Sequence, residues 1–398
     1  MDQPNQSLFN RTYLKTLSWI VAIVIVVLTA SNQDTTSSPV TVLAENWVYL
    51  TFEEEIDQQL ILTYPVTPAY TEKQTQQRLA LQSALTQAAA KQNNLSLQWR
   101  DDRVTLTLPY SNEQRPRLNV DNLLSDLTSS ASQYYPAALQ HAIAERYLAL
   151  NDIEEVALSN LKAQFPTFLT EYIEQSSPLN VFNQRPTVLF VLKEKQPSLI
   201  DPILQQLNTR YSQANAPHTV EPTPIQKKPI RINLQHRSLH HLYLIGQAIS
   251  ADANNLHRTL TFHYVNQAIQ PLIESSRSSY RLRLKPASPL GYSALSITRD
   301  KAFKTAINSN LQSYLLKNFD SKHLAQIKTS LIQQHSEQHS TPHGRIKQLT
   351  NTLFHQEKLQ SEDEFRDTLN DISDAQIQTN IERLFDPART IIVHITPP

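Results

Sequence analysis

Apolar residues follow strand-like and helix-like spacings in alternation along the chain, which predicts an α+β protein. In the first half, QQLILTYP (58–65) and TVLFVL (187–192) are typical of strands. Apolar residues at helical spacing occupy 72–91 and most of 120–175, with a break predicted at Pro136. Two short alternating runs lie between these helical patterns. The first half therefore has the predicted order β-α-β-β-α-α-α-β.

The second half repeats this order after a proline-rich stretch. It starts with the strand candidate HHLYLIGQAI (240–249), followed by a helical pattern at 256–273 and the alternating runs YRLRL and YSALSIT. The strand candidate TIIVHI (390–395) closes the chain. Before it lie three helical patterns, at 301–319, 321–354 and 374–384. We interpret this repetition as the duplication of one α+β unit.

The repetition predicts two tandem homologous units, each a mixed sheet covered by helices on one face. Including the N-terminus, the chain divides into four parts. These are an N-terminal tip, export segment and linker (1–40), a first unit (41–215), a proline-rich linker (216–229) and a second unit (230–398).

An apolar segment near the N-terminus, Leu17 to Ala30, predicts export from the cytoplasm. Arg11 and Lys15 precede it, and acidic residues follow it, so the tip is expected to stay cytoplasmic. The segment is short for a membrane span and long for the core of a signal peptide. We expect an uncleaved single-pass anchor in the inner membrane of a bacterial-type envelope, with the main body periplasmic. Cleavage close to Ser31 and a buried core helix are the alternatives.

Composition excludes several classes of function. Lys plus Arg equals Asp plus Glu, at 36 each, and no basic block stands out, which argues against a nucleic-acid partner. The chain has no cysteine, so disulfides, thiolate metal sites and cysteine nucleophiles are excluded. Its three glycines, Gly246, Gly291 and Gly344, are far apart. Phosphate-binding loops, dinucleotide fingerprints and nucleophile elbows need clustered glycines, so none of these motifs is present.

The stretch HSEQHSTPH carries three histidines, His335, His339 and His343, each four residues from the next. Such spacing, with a glutamate nearby, is similar to a helical zinc site. At about 100° per residue, however, Glu337 projects roughly 200° from His335, onto the far side of the helix. We therefore interpret the stretch as a polar, solvated helix ending near 342–344. Adventitious binding of a divalent metal is the alternative.

The segment LKPASPLGY resembles a motif of the pitrilysin/insulinase family of inverted zincins. It matches that motif at Leu284, Leu290, Gly291 and Tyr292, and it has Lys285 where the family has arginine. The flanking order also agrees, with a long helix before the segment, and an alternating strand, helices and a final strand after it. The resemblance covers residues from 230 onward well and the first unit only through the order of its elements.

This resemblance implies a clamshell of two α+β halves, in which His-x-x-Glu-His on a helix of one half binds zinc. A later domain supplies an arginine and a tyrosine that contact the substrate. By resemblance, Lys285 and Tyr292 are the substrate-binding candidates. The helix that would carry the zinc motif reads QTQQRLALQSALTQAAAKQ, without histidine or acid, and the chain contains neither a Glu-His nor a His-Glu pair.

The chain is thus similar to a non-catalytic half or subunit of such a peptidase. We expect the chain to bind no metal or other cofactor of its own and to catalyse no reaction on its own. Any zinc is expected to come from an active peptidase subunit in a heterodimer. Its other expected partners are a peptide or unfolded polypeptide, and the membrane through Leu17 to Ala30. A stand-alone envelope scaffold or binding pseudoenzyme is one alternative. An active metallopeptidase with an unrecognised site is the other.

Overall fold

The computed structural model describes most of the chain from Val40 to Pro398. The described ranges are 40–44, 47–51, 56–92, 95–109, 119–169, 178–193, 197–212, 230–250, 255–275, 278–287, 289–303, 307–357, 360–386 and 388–398. The predicted export segment, Leu17 to Ala30, lies outside them. Within these ranges, no helix has both the length and the apolarity needed to cross a membrane.

Six strands of the first unit form one mixed sheet. They are β1 Val40–Ala44, β2 Trp47–Thr51, β3 Gln59–Pro65, β4 Ser96–Trp99, β5 Arg103–Pro109 and β6 Thr187–Leu192. The order across this first sheet is β1-β2-β6-β3-β5-β4. Only the β2–β6 pair is parallel among these neighbours, and the other pairs are antiparallel.

Five strands of the second unit form a second mixed sheet with the same topology. They are β7 Ile230–Gln235, β8 His241–Ile249, β9 Ser278–Lys285, β10 Gly291–Arg299 and β11 Ile391–Thr396. The order is β7-β11-β8-β10-β9, and only β7–β11 is parallel. This matches β2-β6-β3-β5-β4 of the first sheet strand for strand, with β1 as an addition. The mixed sheets and the α+β class agree with the sequence-based prediction.

The described residues form eleven α-helices around these sheets. In chain order, α1 to α11 are Glu72–Ala90, Val120–Ala149, Ile153–Lys162, Pro197–Arg210, Asn255–Ala268, Gln270–Ser275, Ile307–Lys317, Ser321–Ser340, Pro342–Phe354, Glu362–Asp371 and Asp374–Phe385. Capping explains several starts. Thr71 and Gln74 form a capping box at α1, and Ser361 and Glu364 form one at α10. Pro342 occupies the first turn of α9, where its missing N–H costs nothing.

Both faces of each sheet are covered, although the sequence predicts helices on one face only. One face of the first sheet packs on α1, α2 and α4, and one face of the second sheet packs on α5, α7, α8, α10 and α11. The remaining face of each sheet is covered by a helix of the other unit. A strand that is buried on both faces has apolar residues at consecutive positions, which is why TVLFVL shows little alternation of apolar and polar residues.

Two helices make these crossed contacts between the units. From the second unit, α9 places Ile346 and Leu349 on the first sheet, against a row of apolar side chains that includes Leu189. From the first unit, α3 places Leu158 and Leu161 on the second sheet, together with the following 3₁₀ helix, Phe165–Phe168. The two units therefore share their cores, while their limits as separate domains stay a prediction.

Two helix boundaries differ from the prediction. Helix α2 continues through Pro136, whose side chain is exposed, and it ends only at Ala149. The pattern at 321–354 is two helices, because Thr341 interrupts it in an extended conformation and accepts a hydrogen bond from the Gly344 N–H. A proline removes one backbone donor, which a long packed helix tolerates, whereas an extended residue ends the helix.

Candidate functional site

The hairpin formed by β9 and β10 sets Lys285 directly opposite Tyr292. Gly291 makes this possible, because a methyl group at that position would lie 1.9 Å from the Lys285 carbonyl oxygen and 2.5 Å from the Ala287 nitrogen. Contacts this short with backbone atoms cannot be relieved by a side-chain movement. The Leu-Gly-Tyr segment therefore has a local structural reason: its glycine lets the two candidate residues lie side by side.

Lys285 and Tyr292 both line a cavity of about 260 Å³ between the two units. The first unit contributes Tyr70, Arg78 and Lys162 to the same walls. The candidate residues from the sequence thus meet groups that are more than a hundred residues away along the chain. This cavity is the candidate functional site.

Tyr70 and Phe165 form the apolar floor of the cavity. The Tyr70 hydroxyl donates to the Leu290 carbonyl oxygen at 2.9 Å and accepts from the Leu290 N–H at 3.2 Å. The Phe165 ring meets the Tyr70 ring edge-on, with 5.7 Å between centroids. Because Leu290 belongs to the second unit, these contacts fix the floor across the boundary between the units.

Tyr292 is a buried phenol, with 7% of its surface exposed. Burial and, to a smaller extent, the charge of Asp101 raise the pKa of Tyr292 to about 12, although the charge of Arg283 acts to lower this pKa. The hydroxyl is therefore protonated at neutral pH. Since a guanidinium only donates, the neighbouring Arg283 leaves the Tyr292 proton available to a ligand.

Arg78 is a half-buried cation on the opposite wall. Burial lowers the pKa of Arg78 to about 10, although Asp101 and Asp102 act in the other direction, so the guanidinium is charged at neutral pH. Its Nη2 donates to the Thr67 carbonyl oxygen. Its Nη1 is buried and has no hydrogen-bond partner among the residues that the structure describes. An arginine donor without an acceptor is thus present at the cavity.

Lys162 is the last residue of α3, and its side chain is half-buried. Burial lowers the pKa of Lys162, and Arg146 and Lys285 add to the lowering through their charges. In the described part of the chain, Lys162 forms no hydrogen bond or ion pair. Asp101, an exposed residue on the wall, acts on it only through its charge.

The acids at the rim of this contact are engaged by other arginines. Arg146 bonds to Glu72 at 2.5 Å and to Glu155 at 3.2 Å. Arg283 lies 3.0 Å from Glu154, on α3 of the first unit. The Arg283–Glu154 pair links the two units, whereas both Arg146 pairs lie within the first unit.

The sequence matches no protein-family model, and it matches no curated protein. Solved structures do match. An M16 peptidase inactive domain from Pseudomonas fluorescens is 13% identical, with a TM-score of 0.61, over 91% of this chain and 98% of that chain. A protease from Helicobacter pylori is 8% identical, with a TM-score of 0.60, over 91% of this chain and all of that one.

The chain has the M16 peptidase fold. The periplasmic protease PqqL from Escherichia coli also matches, at 13% identity and a TM-score of 0.55, but the alignment covers only 48% of that chain. The chain thus spans about half of PqqL and nearly all of the inactive M16 domain. The fold implied by the resemblance to the pitrilysin/insulinase family, in its inactive half, is confirmed.

The histidine stretch lies elsewhere, between α8, α9 and α10 of this M16 fold. His335 stacks on Phe365, with 3.7 Å between centroids and 4° between planes, and its Nε2 lies 3.1 Å from the Gln348 amide nitrogen. Glu337 is exposed and accepts a hydrogen bond from Gln333. Among the described residues, no group of three or more histidine and acidic side chains could hold a metal ion. His335 and His339 are half-buried, whereas His343 is exposed, so the expectation of a solvated helix face is wrong for the first two histidines.

Sequence reasoning missed the first-unit residues of the site, Tyr70, Arg78 and Lys162. Each lies in or beside a helix where its residue type is unremarkable, and no motif surrounds it. The docking of α3 on the second sheet, together with the Tyr70–Leu290 hydrogen bonds, brings these residues to Lys285 and Tyr292.

Proposed function

We propose that the chain is the catalytically inactive half of an M16-type peptidase assembly. In this proposal it holds a peptide or unfolded polypeptide while a partner subunit supplies the zinc. The observation that carries the proposal is the cavity between the units, where Lys285 and Tyr292 lie side by side. The M16 fold and the match to an inactive M16 domain support it.

Lys285 and Tyr292 suit the orientation of a peptide group. The Tyr292 proton is free to bond a peptide carbonyl oxygen, and the exposed Lys285 ammonium adds a flexible positive charge. Next to a partner's zinc, both groups would stabilise negative charge that develops on the carbonyl oxygen. Removing such a donor typically costs about 10²–10³ in rate, and less where the geometry is loose.

The proposal includes a place for the protein. Residues 17–30 would anchor the chain in the inner membrane of a bacterial-type envelope, with the M16 fold on the periplasmic side. Two of the neighbouring solved structures come from a protein described as a periplasmic protease, which is compatible with this location. Reporter fusions after residue 50 should be active only for an exported-side reporter.

The proposal is tested on the complex isolated from native membranes after cross-linking. We expect a partner chain that contains His-x-x-Glu-His. In the purified complex, Tyr292→Phe should lower kcat/KM by about tenfold or more, and Lys285→Ala by less, without loss of zinc. Tyr147→Phe and Lys317→Ala are matched controls, because both side chains are exposed and neither lines the cavity. Full activity in both site variants would make the pair vestigial and the chain a scaffold.

A stand-alone binding protein is the second candidate, and it is favoured by the fact that both units of this chain contribute walls to the cavity. Peptide binding by the isolated chain, without any zinc-peptidase partner in the cross-linked material, would select it. One tightly held zinc in the isolated chain, together with peptide cleavage, would contradict both candidates.

A further inference from the structure

The cavity between the units carries more positive charge than the orientation of a neutral peptide group requires. Four cations line it, and one acid opposes them. The cations are Arg78, Arg100, Lys162 and Lys285, and the acid is Asp101. This excess of positive charge inside a partly enclosed cavity favours an anionic group.

Two of these cations have unused hydrogen-bonding capacity. The Arg78 Nη1 donor is buried without a partner, and Lys162 forms no ion pair within the described ranges. Of the two acids whose charge acts on Lys162, Asp101 and Glu155, the second is bonded to Arg146. Because both side chains line the cavity, a carboxylate bound there would place negative charge next to Arg78 and Lys162.

We propose that the cavity binds the carboxylate group of a peptide, with Arg78, Lys162 and Tyr292 as donors and Lys285 at its entrance. The proposal rests on the proposed role in holding peptides and names the chemical group that is held. A free C-terminus and an aspartate or glutamate side chain are the two sources of this group.

The size and the shape of the cavity fit a carboxylate on a chain end. At about 260 Å³, the cavity is smaller than sites for whole drug-sized ligands, which measure about 300–1,000 Å³. The planar N–H fork of arginine matches the two oxygens of a carboxylate. The apolar floor of Tyr70 and Phe165 gives the attached side chain or methylene group a place to pack. Asp101 lowers the net positive charge, which suits a monoanion.

The test uses the full chain in detergent and three fluorescein-labelled tetra-alanine probes. One probe has a free C-terminus, one a C-terminal amide, and one an amide with a glutamate in the last position. We expect the free acid, the glutamate probe or both to bind about tenfold or more tightly than the plain amide in fluorescence anisotropy. The two acidic probes separate the two sources of the carboxylate.

Variants connect this preference to the cavity. Arg78→Gln and Lys162→Gln should each reduce the preference for the acidic probes by about tenfold, and Asp101→Asn should increase it severalfold. Lys317→Gln, an exposed lysine of α7, is the matched control and should leave the preference unchanged. A thermal melt of each variant checks folding, and Lys162→Gln remains informative if Arg78→Gln is unstable.

The outcomes separate this inference from the proposed function. Equal binding of all three probes overturns the carboxylate site and leaves peptide binding intact. If no probe binds, the peptide-holding role is wrong. Calorimetry that compares N-acetylleucine with N-acetylleucinamide then tests whether the cavity binds a carboxylate by itself. Binding of N-acetylleucine without binding of N-acetylleucinamide would support the carboxylate site. Binding of neither compound would overturn it.

Discussion

Two arginines of the first unit, the buried Arg103 and the half-buried Arg78, illustrate different uses of a charge that is shielded from water. Burial lowers the pKa of both Arg103 and Arg78 to about 10. Arg103 nevertheless has partners on both nitrogens of its fork. Its Nη2 donates to the Asn351 side-chain oxygen at 2.6 Å, and its Nη1 lies 2.9 Å from His355 and 3.3 Å from Asp102.

Arg78 differs in its hydrogen bonds rather than in its pKa. Its Nη1 is orphaned beside a cavity, whereas Arg103 lies in a closed contact and holds the C-terminal end of α9 to the first sheet. A shifted pKa is thus not sufficient to locate a binding site. The position of the unsatisfied donor is what marks Arg78 as functional and Arg103 as structural.

The largest effect that would sharpen this comparison is expected for Arg103→Met. This change removes the cation that faces the buried Asp102, as well as two bonds to α9, and should lower the free energy of unfolding by about 3–5 kcal/mol. Arg78→Met should cost about 1 kcal/mol, because one main hydrogen bond is lost and an orphaned donor disappears with it.

Urea unfolding followed by circular dichroism measures both variants under the same conditions. Only Arg78→Met should lose the preference for acidic peptides. Equal losses of stability in the two variants would show that Arg78 is a structural arginine as well, and the distinction between the two would fail.

A smaller effect is expected at the contact between α3 and the second sheet. A methyl group at Gly246 would lie 2.6 Å from both terminal carbons of Leu161. Gly246→Ala should therefore push α3 away from the sheet and cost about 1–3 kcal/mol. Because the cavity depends on this docking, binding of acidic peptides should weaken as well.

A double-mutant cycle tests whether the clash is the cause. Leu161→Ala alone should also destabilise the protein, but in the double variant the two losses should be less than additive, since the clash is gone. Strictly additive losses would contradict the close approach of Leu161 to Gly246.

The sequence predicted much of the fold because the repeated apolar pattern is strong. The strand candidates at 58–65 and 187–192 correspond to β3 and β6, and the final strand corresponds to β11. The prediction missed β1, β2 and β7, which lie at or next to the sheet edges. It also missed α10, which is amphipathic, although its capping box, Ser361 to Glu364, was a readable signal.

The site was only half predictable, for a geometrical reason. Lys285 and Tyr292 lie in one hairpin, so a local motif can reveal both. Arg78 and Lys162 lie on two different helices of the first unit. Their approach to Lys285 and Tyr292 depends on how Leu161 packs against Gly246. No local periodicity carries that information. The burial of Asp102 and Arg103 likewise depends on a distant element, helix α9.

His335 provides a third kind of buried titratable group, one that is stabilised in its neutral form. Burial, followed by the charge of His339, lowers the pKa of His335 to about 4. Its Nε2 faces the Gln348 amide nitrogen, which only donates, so the neutral imidazole must accept. The groups around it on the neighbouring helices are Phe365 and, near His339, Glu362 and Arg345. Protonation would break the bond to Gln348.

The smallest predicted effect is therefore a pH dependence of stability that His335 adds. In the unfolded chain the pKa is near 6.5, so between pH 6.5 and about 4 the unfolded state takes up a proton that the folded state refuses. This contribution is complete above pH 6.5 and is lost as the pH falls. Between pH 6.5 and 4, the Tm of His335→Gln should fall by about 1–3 °C less than the Tm of the wild type. The Tm of His343→Gln, a change at an exposed position, should fall as much as that of the wild type. Parallel Tm profiles for the wild type and His335→Gln would mean that His335 is solvated, as the sequence alone suggested, and that hydrogen-bond partners do not distinguish these sites.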